Sequence, residues 1–421
     1  MKKNTLNTAL FEKELSRVYG KDSSRQKDRW MNAIDEFENI FGSGRELTLF
    51  SAPGRTEIGG NHTDHQHGRV LAASINLDVI GVAALNNDGM IRIKSAGFKQ
   101  DDVDLTELAP QDTEREKAAS LIRGMAAGFA DLGYPVKGFD MYTTSEVLKG
   151  SGLSSSAAFE MIVGTAINHF FADAALQPID IAKLGQKAEN NYFGKPSGLM
   201  DQAASAVGGF VRIDFNDNTA PDVEKLTFDL STSGYTLCIV DTGGSHADLT
   251  NEYAAIPGDM KRIAGYYGCS VLREIDVAQF RKDIPLLRKE FGDRAVLRAL
   301  HFLAENDRVL DQAAALKAEN FEEFLSLVNQ SGNSSFKYLQ NVYCCIAPNE
   351  QGLSLALNES ERILAGRGAC RVHGGGFGGT IQAYVPNELV EEYRENIDAI
   401  FGEGSCKTLL VRPYGAIKLD I

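Results

Sequence analysis

Apolar residues along the chain follow two periods, one near 3.6 and one near 2, and stretches of each kind are interleaved from end to end. Leu10, Phe11, Leu15, Val18 and Tyr19, then Trp30, Ala33, Ile34, Phe37 and Phe41, predict two amphipathic helices, the second stopped at Gly42. Alternation and β-branched content predict strands at 47–51, 79–84, 91–95, 139–148, 208–215, 235–241, 370–373, 380–385 and 409–412. Helical spacing returns at 115–132, 157–166, 181–192, 246–267 with a break at Pro257-Gly258, 275–330, 351–365 and 388–401. The mixture predicts an α+β chain of two domains, 1–215 and 216–421, with 216–224 as the crossing between them.

Two polar, glycine-rich segments interrupt this pattern. Pro53 to Gly68 follows a predicted strand and carries Arg55, Glu57, Asn61, His62, Thr63, Asp64, His65 and His67. So polar a loop is either surface or site. Gly150-Ser151-Gly152-Leu153-Ser154-Ser155-Ser156 joins a predicted strand to a predicted helix, where Ala157, Ala158, Met161, Ile162 and Ala166 recur. A glycine-serine turn there is either a capped helix start or a phosphate cradle of free N–H groups and helix dipole. The segment is not the Gly-x4-Gly-Lys-Ser/Thr loop, and protein-kinase signatures are missing.

Composition narrows the classes. The 421 residues suffice for two or three domains, and 43% hydrophobic with 24% charged residues is ordinary for globular proteins. A formal charge of -14 argues against a nucleic acid or an anionic membrane as the main partner. No protein partner is indicated. The six cysteines show no Cys-x-x-Cys pair, so they are expected to be reduced thiols. No signal peptide or membrane span is read from the apolar runs, and the cytoplasm is the expected compartment. His62, His65 and His67 lack the companion ligands of a zinc site.

With Pro53-Gly54-Arg55 and His62-Thr63-Asp64, the serine-glycine segment at 150–157, and Gly374-Gly375-Gly376-Phe377-Gly378-Gly379 in this order, the chain resembles the GHMP kinase superfamily, and its galactokinase branch in particular, over about 45–413. The resemblance implies a two-domain GHMP kinase fold, with an N-terminal domain of the ribosomal-protein-S5 type, a ferredoxin-like C-terminal domain and a cleft between them. It implies phosphorylation of a sugar's anomeric hydroxyl by ATP with Mg2+. Asp201 in Gly198-Leu199-Met200-Asp201-Gln202 matches the catalytic aspartate and Arg55 its partner. Gly150, Ser151, Gly152, Ser154, Ser155 and Ser156 match the phosphate loop, Ser156 and Glu189 the magnesium pair, and Asn61, His62, Asp64, Gly198 and Tyr253 the sugar positions.

One departure bears on the substrate. Galactokinases usually read Gly-Glu-His-Thr-Asp-Tyr where this chain reads Gly60-Asn61-His62-Thr63-Asp64-His65, and Glu57 stands where the family usually has Asn. The family's Glu contacts the sugar's C6 hydroxyl. Asn61 either bonds the same hydroxyl through its amide or admits a C6 carboxylate such as that of galacturonate. His373 and the segment 341–345 also differ from the common pattern. Non-catalytic sugar sensors of the branch lose a Ser-Ala pair after the loop leucine; Ser156-Ala157 is present here, which favours turnover.

Overall fold

Residues 8–147, 152–195, 197–244 and 249–421 are described by the computed structural model. Its first sheet is arranged around two long strands, β1 (Thr48–Gly59) and β2 (Arg69–Leu85), paired antiparallel. The remaining strands follow as β3 (Met90–Ser95), β4 (Gln100–Asp104), β5 (Phe139–Ser145), β6 (Phe210–Asp214) and β7 (Asp222–Leu226), then β8 (Tyr235–Asp241), β9 (Ala369–Val372), β10 (Thr380–Pro386), β11 (Cys406–Leu409) and β12 (Ile417–Lys418). The first sheet runs β12-β1-β2-β5-β3-β4, while the start of β2 pairs instead with β6, which carries β7. Among the described residues only β3 and β5 pair in parallel, and helix Ala118–Asp131 supplies the crossover such a pair requires. The second sheet is antiparallel, in the order β11-β8-β10-β9.

Both faces of the first sheet are covered, which is why 79–84 reads as an unbroken apolar run. Val79 and Ala83 point to one side with Phe50, against Met161 and Ile162 of helix Ser155–Phe171. Ile80 and Val82 point to the other with Leu49, against Trp30 and Phe37 of helix Ser23–Phe41. That second layer is pinned by the buried Asp78, which accepts hydrogen bonds from Tyr19 at 2.7 Å, Arg29 at 2.6 Å and Arg412 at 3.1 Å. The tail of the chain and its first helices thus lock onto β2, the partner of the strand that carries Arg55.

Beyond residue 226, helices Gly352–Leu364 and Val390–Phe401 cover the second sheet. Helices Thr250–Tyr266, Val277–Phe291 and Asp293–Lys317 share a separate apolar core. Among the described residues no helix is long and apolar enough to cross a membrane. All six cysteines are free thiols, four of them buried.

Several local expectations are corrected. The stretch 216–224 is not a crossing: it turns β6 back into β7 on the same sheet. Pro257 does not break its helix, because buried Ile256, Met260 and Ile263 hold both halves against one core and outweigh the lost hydrogen bond. The pattern over 275–330 is three helices, divided at Gly292 and before Phe321. The predicted start of the 246–267 helix falls partly outside the described residues.

Candidate active site

The centre of the site is a place where a strand fails to be regular. β1 loses register between Pro53 and Arg55 and again between Glu57 and Gly59. Proline has no N–H to give the ladder, and such bulges re-aim the side chains around them. Here the bulge turns β1 toward the segment at 152–154: the Arg55 N–H donates to the Leu153 carbonyl at 3.0 Å. Gly54 makes that approach possible, since a Cβ there would lie 2.8 Å from the Leu153 carbonyl oxygen and 2.9 Å from a Val147 methyl.

From this bulge Arg55 forks onto Asp201, its Nε 2.6 Å from Oδ1 and its terminal nitrogen 2.7 Å from Oδ2. Asp201 sits in the first turn of helix Met200–Val207, where the dipole favours a negative charge. Ser205 of that helix donates to the Pro53 carbonyl at 2.6 Å, so the carboxylate and the arginine are braced against each other. Burial pushes the Asp201 carboxyl up, but the Arg55 charge and hydrogen bonds, with Ser154, outweigh it and hold the group below its usual range. Ser154 has left-handed backbone (φ 55) and caps no N–H of the helix it precedes; its hydroxyl donates to Asp201 Oδ2 at 2.7 Å.

A cavity of about 190 Å³ opens over this pair. Arg55, Asn61, His62, Asp64, Glu189, Gly198, Asp201 and Tyr253, eight of the residues singled out from the sequence, line it together. His62 is buried, donates Nε2–H to the Gly375 carbonyl at 3.1 Å and lies against the Tyr253 ring with centroids 5.1 Å apart. Burial keeps this imidazole neutral, its pKa lowered to about 4. A Cβ at Gly375 would sit 2.3 Å from the Tyr253 ring, so the third glycine motif is what lets the tyrosine reach the cavity.

The wall behind is a buried polar frame. His373 accepts from the Thr56 hydroxyl at 3.0 Å and donates to Thr380 at 2.9 Å. Glu57 takes Arg371 at 2.9 Å and Asn61 at 3.0 Å. His301 donates to the Asn61 carbonyl at 3.0 Å, and Glu305 accepts from the Gly60 N–H at 3.1 Å.

Ser155 and Ser156 line a different cavity, of about 660 Å³, at the mouth of helix Ser155–Phe171. Its walls include Val79, Leu121, Phe159 and Phe193 and are mostly apolar. The π-helical turn Glu189–Phe193 runs between the two cavities, Glu189 lining the first and Phe193 the second. Glu189 accepts from Gln202 at 2.9 Å and pairs with Lys195 at 3.0 Å. The Gly152 carbonyl accepts from Arg55, and Gly150 and Ser151 lie outside the described residues. No group of three or more His, Cys, Asp or Glu that could hold a metal occurs among the described residues. Glu189 lines the first cavity with its carboxylate on Lys195 and Ser156 lines the second; both offer hard oxygens, the donor type a magnesium ion takes along with waters and phosphate oxygens.

Known proteins resemble this chain over most of its length. Residues 119–209 match the family described as GHMP kinases N terminal domain, and residues 35–85 match the galactokinase galactose-binding signature. The galactokinase of Glaesserella parasuis is 30% identical over 364 residues, 86% of this chain and 91% of that one. That of Lactococcus lactis is 30% identical over 401 residues, 92% of this chain and 96% of that one. The chain belongs to the galactokinase family.

Its fold agrees. The crystal structure of Lactococcus lactis galactokinase complexed with galactose superposes with a TM-score of 0.78 at 26% identity, covering 93% of this chain and 100% of that one. The mevalonate kinase of Methanococcus jannaschii gives 0.62 at 17% identity over 87% of this chain and 98% of its own, a likeness of fold alone.

Against the galactokinase pattern, sequence reasoning passed over three residues that the geometry makes prominent and gave a fourth a different role. Lys195 lies just before Gly198, outside the motifs. Gln202 is adjacent to Asp201, yet nothing in its type told that its amide would tie Glu189 to the buried Glu160 at 3.0 Å. Arg371 lies on a strand, and Ser154 was grouped with the phosphate serines although its hydroxyl goes to Asp201. Adjacency to the motifs was the available signal for Lys195 and Gln202; for Arg371 there was none.

Proposed function

We propose that this galactokinase-family chain is an ATP-dependent sugar kinase that transfers the γ-phosphoryl group to the anomeric C1 hydroxyl of galactose, giving galactose 1-phosphate and ADP. The observation that carries the reading is the Arg55–Asp201 pair at the floor of a polar cavity, next to the mouth of helix Ser155–Phe171. The serine loop and that helix mouth take the phosphates, and the apolar walls of the larger cavity suit a nucleobase.

Asp201 is ionised in the neutral range. Its Oδ1 accepts one hydrogen bond from the described residues, from Arg55, and so has a lone pair for the proton of the attacking hydroxyl. The hydroxyl oxygen bonds to the γ-phosphorus as the bond to the β,γ-bridging oxygen breaks, and ADP carries off that electron pair. Arg55 offsets the charge that develops on the attacking oxygen, help worth roughly 10²- to 10⁴-fold together with the base. Magnesium, held by Ser156 and Glu189, would neutralise phosphate charge when bound.

His62, Asp64, Gly198 and Tyr253 surround the sugar, with Asn61 in the wall behind Glu57. Donors and acceptors in this number suit a polyol. The cavity wall keeps a carboxylate at Glu57 although position 61 is neutral, and with Asp64 and Glu189 also present a C6 carboxylate would meet like charge. That favours galactose over galacturonate.

The direct test is ATP-dependent consumption of galactose with formation of a 1-phosphate. Asp201→Asn should still bind galactose in calorimetry and turn over none. A wild-type protein that binds neither galactose nor ATP would end this reading.

A further inference from the structure

Glu57 and Asn61 are four residues apart on either side of the second break in β1, and they are hydrogen-bonded to each other. Asn61 is fully buried and its amide has nothing left to give. Nδ2 donates to Glu57 Oε1 at 3.0 Å and to the Gly374 carbonyl at 2.7 Å, and Oδ1 accepts from Asn341 at 2.8 Å and from Ser335 at 3.3 Å. Two donor hydrogens and two lone pairs are all an amide group has.

Glu57 is different. Oε1 takes both Asn61 and Arg371, while no described residue donates to Oε2. Oε2 is also absent from the sealed polar atoms that lack a partner, and Glu57 is part of the cavity wall, so this oxygen opens on the cavity. Arg371 cannot swing away to serve it, because its other nitrogens are held by the Val372 carbonyl at 3.0 Å and the Ile58 carbonyl at 2.8 Å. A carboxylate fixed in this way, with one oxygen free, is an acceptor in search of a donor.

We propose that Glu57, aimed by Asn61 and Arg371, is the residue that reads a sugar hydroxyl other than the one phosphorylated, and that Asn61 touches the sugar only through it. The proposal rests on the sugar-kinase reading. A carboxylate accepts and never donates, so it selects a hydroxyl, is left unpaired by a deoxy sugar and repels an acid at the same carbon.

The test is a cycle of one substitution against single hydroxyl deletions. Wild type and Glu57→Gln are compared for kcat and KM on galactose, on its 2-, 3-, 4- and 6-deoxy analogues and on galacturonate. In the wild type one analogue should lose roughly 10- to 100-fold in kcat/KM, the span of a hydrogen bond to a charged group. Glu57→Gln should lose a similar factor on galactose, mostly in KM, and almost nothing more on that analogue, while the other deletions keep their wild-type cost. Relative efficiency on galacturonate should rise. If Glu57→Gln does not fold, Glu57→Asp, which keeps the charge facing Arg371, serves in the same cycle. Equal multiplication of the losses for every analogue would overturn the assignment of Glu57 and leave the kinase intact. A wild type inactive on the whole series would instead fault the kinase reading.

Discussion

Arg55 holds both oxygens of Asp201, at 2.6 and 2.7 Å, from a bulge that is itself fastened to the Leu153 carbonyl. Removing the guanidinium therefore changes more than charge balance. In Arg55→Met the push of burial on Asp201 is no longer opposed by a paired cation, so the carboxyl should titrate above its present, lowered position. The wild-type acid limb of kcat/KM should fall below the ordinary aspartate range near 4. The variant should lose kcat by roughly 10²-fold or more, and its residual activity should decline at higher pH than the wild type's. An acid limb that stays in place would mean that Arg55 does not set the state of Asp201.

Gly54 is where the first and second motifs touch. Adding one methyl places it 2.8 Å from a backbone oxygen and 2.9 Å from Val147, neither of which is a flexible tip. Gly54→Ala should cost about 1–3 kcal/mol of stability, as overpacking does. It should also raise KM for ATP more than KM for the sugar, because the displaced group is the Leu153 carbonyl. Calorimetric melting and steady-state kinetics with each substrate varied would show both.

The fold class and the residues around Asp201 were legible in the sequence because periodicity and motif order are local signals. Leu49, Phe50, Ile80 and Val82 announce strands, and Arg55, Asp64, Gly198 and Asp201 stand in short strings that the fold then gathers. What was not legible was partnership across the chain. Asn61 could be read as a substitute for a missing carboxylate, but only coordinates show that Glu57, Asn341, Ser335 and a carbonyl use up its amide. Pro257 and the 216–224 stretch misled for a related reason: burial of Ile256 and Met260 and pairing of β6 with β7 override what each segment prefers alone.

Three buried histidines set a pH dependence of stability. Burial holds His62 at about 4 and His373 at about 3, and lowers His301 as well. Each is neutral when folded and takes a proton on unfolding below its unfolded value near 6.5. The unfolded state then binds more protons, so their contribution is present above about 6.5 and is lost as pH falls toward the folded values. His373→Gln should flatten the fall in unfolding free energy between about pH 6 and 4.5 by up to about 1.4 kcal/mol per pH unit, one proton's worth. Denaturant titrations of both proteins at several pH values measure the slope. An unchanged slope would mean that His373 is not neutral in the fold.

Lys195 pairs with Glu189 at 3.0 Å, yet the lysine side chain is 61% exposed. Its ammonium is solvated while the Glu189 side chain is 5% exposed, and a pair open to solvent on one side should contribute up to about 1 kcal/mol. Its location matters more, since it occupies the carboxylate proposed to bind magnesium. A bound lysine ammonium competes with the metal for that oxygen, and displacing it costs the metal part of its affinity. Lys195→Met should therefore melt within a few degrees of the wild type and half-saturate at lower magnesium, by about 2-fold if the pair is worth a few tenths of a kcal/mol. If half-saturation instead moves to higher magnesium, the lysine helps to hold the metal–phosphate complex, and the competition argument fails.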